Sequence, residues 1–125
     1  MKKNIVLLAN NKKRVLLEEF SCAYKFVLLK HALYAPFEDA YVINKVGLFC
    51  TSLLNVSVGG YRQLISKLQC KEFDLVIFFR GTYYFEKPSS VESEVLLSCD
   101  SCNIPVATNL MTAEILLQAL DSGLF

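Results

Sequence analysis

Apolar residues along this chain fall into short unbroken runs, separated by stretches in which they recur every third or fourth position. "NIVLLA" and "DLVIFF" are the clearest runs. A run that is continuous, not alternating, and only five or six residues long is what a strand shows when both faces of its sheet are covered. Between the runs, Val15, Leu16, Phe20, Ala23 and Val27 keep the spacing of a helix face. The pattern predicts strands over residues 2–9, 31–35, 53–58, 74–79 and 103–109. It predicts helices over 12–27, 38–48, 62–70, 91–101 and 112–120. Pro36 stops the second strand, Gly47 closes the second helix, and Asn109 or Thr112 is placed to cap the last one. Residues 81–90, "GTYYFEKPSS", read as a loop.

Strand and helix thus alternate through the whole chain with short connections. That order predicts an α/β fold: a three-layer, doubly wound, mainly parallel five-stranded sheet with right-handed crossovers. The length of 125 residues suits one domain spanning 1–125. In such folds ligands sit beyond the carboxyl ends of the strands. The loops that could carry chemistry are therefore 10–14, 36–40, 59–63, 80–90 and 108–112.

Composition narrows the classes. Hydrophobic residues make up 54% of the chain, yet no apolar run approaches the ~20 residues a membrane helix needs. The surplus suits a covered face between subunits. The start "MKKNIVLLANN" has lysines before an apolar run, but that run is shorter than the ~7–15 residues of a signal-peptide core. It reads as a first strand in a cytoplasmic protein. A net charge of +1 gives no electrostatic case for nucleic acid, and Lys12, Lys13 and Arg14 read as a solvated helix start. The five cysteines, an odd number, suggest free thiols in a reducing compartment. "CDSC" at Cys99 and Cys102 falls at the end of a helix, not at the helix N-terminus where a redox pair gains acidity, and reads as structural. No second Cys-x-x-Cys or His pair would complete a zinc site.

The segments "NIVLLANNKKRVLL", "HALYA", "VGGYRQLIS", "EFDLVIFFRG" and "NIPVATNLMTAEILLQ" follow, in order, the pattern of the methylglyoxal synthase family, which the chain resembles over nearly its whole length. The resemblance implies a Rossmann-like, flavodoxin-type domain, assembled as a homo-hexamer in the bacterial enzyme, with no cofactor. It also implies a reaction: dihydroxyacetone phosphate gives methylglyoxal and phosphate. That chemistry needs a carboxylate base beside the carbonyl, an acid for the enediolate oxygen, and a firm grip on phosphate.

The loops that carry this chemistry in the family are changed here. The family's base, an Asp after the Gly-Gly pair, is replaced by Tyr61, whose phenol has a reference pKa near ~10. The catalytic His after strand four is replaced by Pro88. The family's Ala-His-Asp becomes Ala9-Asn10-Asn11, with Arg14 at the position of its Lys. The phosphate-holding Thr-Gly-Thr-Thr-Gly becomes "PFEDA" at 36–40, and Trp-Asp-Pro becomes Arg80-Gly81-Thr82. The one histidine, His31, lies at the start of strand two, away from these loops, and reads as structural.

The residues expected to meet at the mouth are Asn10, Arg14, Gly59, Gly60, Tyr61, Arg62 and Arg80, with Tyr83, Tyr84 and Phe85 beside them. Arginine forks among aromatics suit a small anionic, planar ligand or a partner protein. The expectation is a family member that has lost lyase activity and serves as a ligand-binding, regulatory or interaction module. The alternative is an active lyase with relocated residues, Glu38, Asp39 or Glu86 acting as base. A third reading is a thiol protein using Cys99 and Cys102.

Overall fold

A computed structural model describes residues 2–81 and 91–125. Its centre is a parallel sheet in the order β3-β2-β1-β4-β5. The strands are β1 (Asn4–Ala9), β2 (Ala32–Ala35), β3 (Cys50–Ser52), β4 (Leu75–Phe79) and β5 (Val106–Ala107). The helices are α1 (Arg14–Ala23), α2 (Lys25–Leu28), α3 (Phe37–Lys45), α4 (Gly60–Gln69), α5 (Val91–Ser101) and α6 (Leu110–Asp121). Of the doubly wound arrangements, this strand order is the Rossmann one.

β1 explains the layers. Ile5, Leu7 and Ala9 point into one core with Leu17 and Phe20 of α1, Ala40 and Ile43 of α3, and Ala113 and Leu117 of α6. Val6 and Leu8 point into the other with Leu64 and Leu68 of α4 and Val95 and Cys99 of α5. Period-two alternation therefore separates two cores, with no polar face between them. Each fully buried Leu or Ile in these cores contributes roughly 1.5–3 kcal/mol of transfer free energy.

From β1 the chain adds β2 and β3 on one side. It then crosses back to lay β4 against β1's other edge, pairing Ile5 with Leu75 and Ala9 with Phe79. The winding thus reverses between β1 and β4, where the carboxyl ends of two adjacent strands open a crevice. Asn10 N–H extends the ladder one step, donating to the Phe79 carbonyl at 2.9 Å.

Two predicted elements differ. The third strand is Cys50–Ser52, not the run at 53–58. It is an edge strand, so Thr51 and Ser52 face outward and carry no apolar signal. In the run itself Leu53 enters the second core, while Val56–Val58 form a 3-10 turn capped by Asn55, whose Oδ1 accepts the Ser57 N–H. The first helix is likewise divided. A 3-10 turn (Asn11–Lys13) leads into α1, and Tyr24, at φ −107° and ψ 24°, breaks α1 from α2. No Pro or Gly marks that break; Tyr24 instead stacks on Phe20 with ring centroids 5.0 Å apart. The cap on α6 is Asn109, whose Oδ1 accepts the Thr112 N–H at 3.0 Å. His31 sits at the base of β2, its Nδ1 accepting the Lys3 N–H at 3.1 Å. Among the described residues no helix is long and apolar enough to cross a membrane.

Candidate functional site

The crevice is built where β1 ends. Asn10 caps the following 3-10 turn, its Oδ1 accepting the Lys12 N–H at 3.1 Å. Its amide nitrogen donates to Glu92 Oε1 on α5 at 3.2 Å. One residue beyond the turn, Arg14 opens α1. Its Nε donates to Asp39 Oδ1 and its Nη2 to Asn11 Oδ1, each at 3.0 Å.

Asp39 lies in the first turn of α3, where backbone N–H groups favour a carboxylate. Its second oxygen accepts the Ala9 N–H at 3.3 Å. The side chain is 1% exposed. Burial pushes its pKa up to about 6, outweighing Arg14 and the Ala9 N–H, which pull it down. Glu38, one residue earlier, reaches across to the loop before α4, where its Oε1 accepts the Val56 N–H at 3.3 Å.

The glycine pair has a backbone task. Gly59 takes φ +103°, in the left-handed region. A Cβ on Gly60 would lie 2.3 Å from the Leu54 carbonyl oxygen, so the chain passes too close there for a side chain. The turn delivers Tyr61 to the crevice floor, its ring 6.2 Å from that of Phe78 and tilted by 31°. Burial raises the phenol well above its ordinary value, and Glu92 and Asp39 add to the rise. At neutral pH this hydroxyl holds its proton and is no base.

The result is a cleft of about 310 Å³ walled by Asn10, Asn11, Arg14, Glu38, Tyr61 and Glu92. Asn10, Arg14 and Tyr61 were expected there from the sequence. Gly59 and Gly60 shape the turn without lining the wall. Arg62 does not join the mouth: its Nη1 donates to Glu94 Oε2 at 2.7 Å on the outer side of α4 and α5. Arg80, half-buried at the end of β4, is not among the wall residues either. Pro88, Tyr83, Tyr84, Phe85 and Glu86 lie outside the described residues. Sequence reasoning missed Glu92; its place two residues into the helix after the loop was a usable signal. It weighed Asp39 as a phosphate-repelling acid and as a possible base, without the Arg14 partner that holds it. The Cys99 thiol is buried in the second core, away from the cleft.

No protein-family model matches the chain. Curated relatives do. A methylglyoxal synthase of Caldicellulosiruptor saccharolyticus is 40% identical over 121 residues, 96% of this chain and 86% of the relative. That of Lysinibacillus sphaericus is 37% identical over 120 residues, 95% of this chain and 90% of the relative. Among solved structures, a methylglyoxal synthase from Elizabethkingia anophelis superposes with a TM-score of 0.83 at 27% identity, covering 93% of this chain and 77% of that one.

Proposed function

The chain belongs to the methylglyoxal synthase family, and from that premise we propose that it keeps the family cleft as a binding site for a small ligand and does not convert dihydroxyacetone phosphate. The observation that carries this reading is the state of the anion-binding donors. Ala9 N–H and Arg14 are both engaged by Asp39, and Val56 N–H by Glu38. The resemblance puts the family's phosphate-holding loop at residues 36–40, where this chain carries Glu38 and Asp39. Glu92 also lines the wall, its Oε1 accepting from Asn10 Nδ2. Like charges 4 Å apart repel by about 4 kcal/mol at an effective dielectric constant near 20. Tyr61, at the position of the family base, keeps its proton.

An active lyase is the second reading, and the comparisons favour it: relatives between 33% and 40% identical carry the name methylglyoxal synthase. Its best base is Asp39, whose pKa of about 6 suits proton abstraction near neutrality. Against it stand the 1% exposure of that side chain and the bonds to both its oxygens. The same proposal takes residues 1–125 as one domain working as a homo-oligomer in the cytoplasm. Support comes from the resemblance, from Phe26 and Phe49 standing 82% and 89% exposed, and from cysteines left as thiols.

The deciding experiment mixes the purified chain with dihydroxyacetone phosphate and follows both methylglyoxal and phosphate release. The expected rate is that of the uncatalysed blank. Turnover at ordinary enzymatic speed, abolished by Asp39→Asn, establishes the second reading instead.

A further inference from the structure

At the opposite end of the sheet from the crevice, the amino ends of β1 and β2 frame a second cavity, of about 240 Å³. Lys2 and Lys3 line it ahead of β1, Lys30 and His31 ahead of β2, and Leu120 and Asp121 at the end of α6. Its charges do not cancel. Asp121 Oδ1 takes Lys30 Nζ at 3.1 Å. Neither Lys2 nor Lys3 pairs with a carboxylate among the described residues. The wall therefore carries two unmatched cations.

His31 independently calls for an acceptor. Its Nδ1 accepts the Lys3 N–H at 3.1 Å, which leaves the ring proton on Nε2. Burial lowers the His31 pKa further than Asp121 raises it, so the ring is neutral near pH 7. The residue is only 9% exposed, and its Nε2 has no hydrogen-bond partner among the described residues. Buried N–H groups normally have one. His31 also borders a smaller hollow of about 40 Å³, but its other walls are Leu28, Leu29, Leu33, Leu48 and Phe49, whose side chains offer no acceptor. A water there would lack the two to four polar partners it needs.

The larger cavity has an apolar side as well, from Leu120 and Phe125. Its volume lies just below the roughly 300 to 1,000 Å³ of ordinary ligand sites, which leaves room for a few carbons. We propose that this cavity is a second binding site, for a small organic carboxylate. Its oxygens take the His31 Nε2–H and the Lys2 and Lys3 ammonium groups, and its stem lies on Leu120 and Phe125. Hydrogen bonds from a cation to a carboxylate are among the strong ones, and the stem distinguishes this ligand from a bare inorganic anion.

The test titrates the full chain with butyrate, butanol and inorganic phosphate at about pH 7.5, read by chemical shifts. His31 is the single histidine, so its imidazole signals are unambiguous. Butyrate is expected to move them, and the Lys3 and Gly123 amides, along a saturating curve. Butanol lacks the charge and phosphate lacks the stem, and at equal concentration both are expected to leave these signals in place. Joint replacement Lys2→Gln and Lys3→Gln, at an exposed and a half-buried residue, is expected to weaken butyrate binding at least about tenfold. His31→Asn keeps an acceptor for the Lys3 N–H but removes the Nε2 donor, and is expected to weaken binding too. If that variant does not fold, the lysine pair carries the test alone. Butyrate shifts that stay linear or scatter over the surface, equal saturation with butanol or phosphate, or unchanged affinity in the lysine variant each overturn the proposal. The triose-phosphate assay is scored separately, since the cavity and the crevice lie at opposite ends of the sheet.

Discussion

Arg14 and Asp39 hold one another across the carboxyl end of β1, Nε to Oδ1 at 3.0 Å, while the other Asp39 oxygen accepts the Ala9 N–H at 3.3 Å. A buried carboxylate beside a guanidinium normally titrates low. Here burial outweighs the partner, and the pKa rises from 3.8 to about 6. In that window the folded chain holds a proton that the unfolded chain has released, so this group's contribution to stability falls as pH rises through it. The full excursion is at most about 3 kcal/mol. Comparing urea midpoints of the wild type and Asp39→Asn from about pH 4 to about pH 7, the wild type is expected to lose ground against the variant as pH rises. A gap that widens the other way would mean that the ion pair dominates over burial.

The glycine pair predicts two costs of different origin. Gly59→Ala keeps open space around the new methyl group and faces backbone strain alone at φ +103°, about 1–2 kcal/mol. Gly60→Ala drives a methyl group to 2.3 Å from the Leu54 carbonyl oxygen, and a backbone atom cannot rotate away as a side chain could. The loop must shift, at a cost of about 2–3 kcal/mol. Thermal midpoints should therefore fall further for Gly60→Ala than for Gly59→Ala, by several degrees. Equal losses would show that the loop before α4 yields freely.

Much of this architecture was legible in the sequence because burial on both faces of a parallel sheet leaves short continuous apolar runs bounded by polar residues. β1 and β4 are such runs. β3 was not legible: it lies at the edge, where Thr51 and Ser52 are free to be polar, and the β-branched run after it forms a turn. The break at Tyr24 had no local signal, since ring packing on Phe20 is a tertiary event. The site shows the same division. Loss of the carboxylate at Tyr61 could be read from one letter. That Arg14 is spent on Asp39, and Arg62 on Glu94, could not, because those pairs join residues 25 and 32 positions apart.

Restoring the family base alone should fail. In Tyr61→Asp the new carboxylate still faces donors taken by Glu38 and Asp39, and no methylglyoxal release above the blank is expected. Adding Glu38→Thr and Asp39→Thr, the residue types the family pattern carries at those two positions, frees Ala9 N–H, Arg14 and Val56 N–H together. The triple variant should gain phosphate affinity, to a Kd of about 1 mM or tighter by calorimetry, while no binding is expected of the wild type. A wild type that already binds phosphate this well would refute the view that its own carboxylates fill the site.

The thiols supply a prediction independent of the cleft. Cys22 and Cys70 are exposed, Cys102 is half-buried, and Cys50 and Cys99 are buried. Burial pushes both the Cys50 and the Cys99 thiols up to about 12. The thiolate is the reacting species, so at about pH 8 only roughly one molecule in ten thousand carries it at either buried site. With a disulfide reagent under native conditions, Cys22 and Cys70 should therefore react first and Cys102 more slowly. Cys50 and Cys99 should wait for the chain to open, at a rate that follows unfolding as urea is added. A disulfide between Cys99 and Cys102 is expected to form slowly, because Cys99 is buried in the second core, which Cys102 packs against from beyond the end of α5. Rapid formation of a Cys99–Cys102 disulfide in the folded protein, seen as a two-proton mass loss under mild oxidation, would contradict this and revive a thiol role.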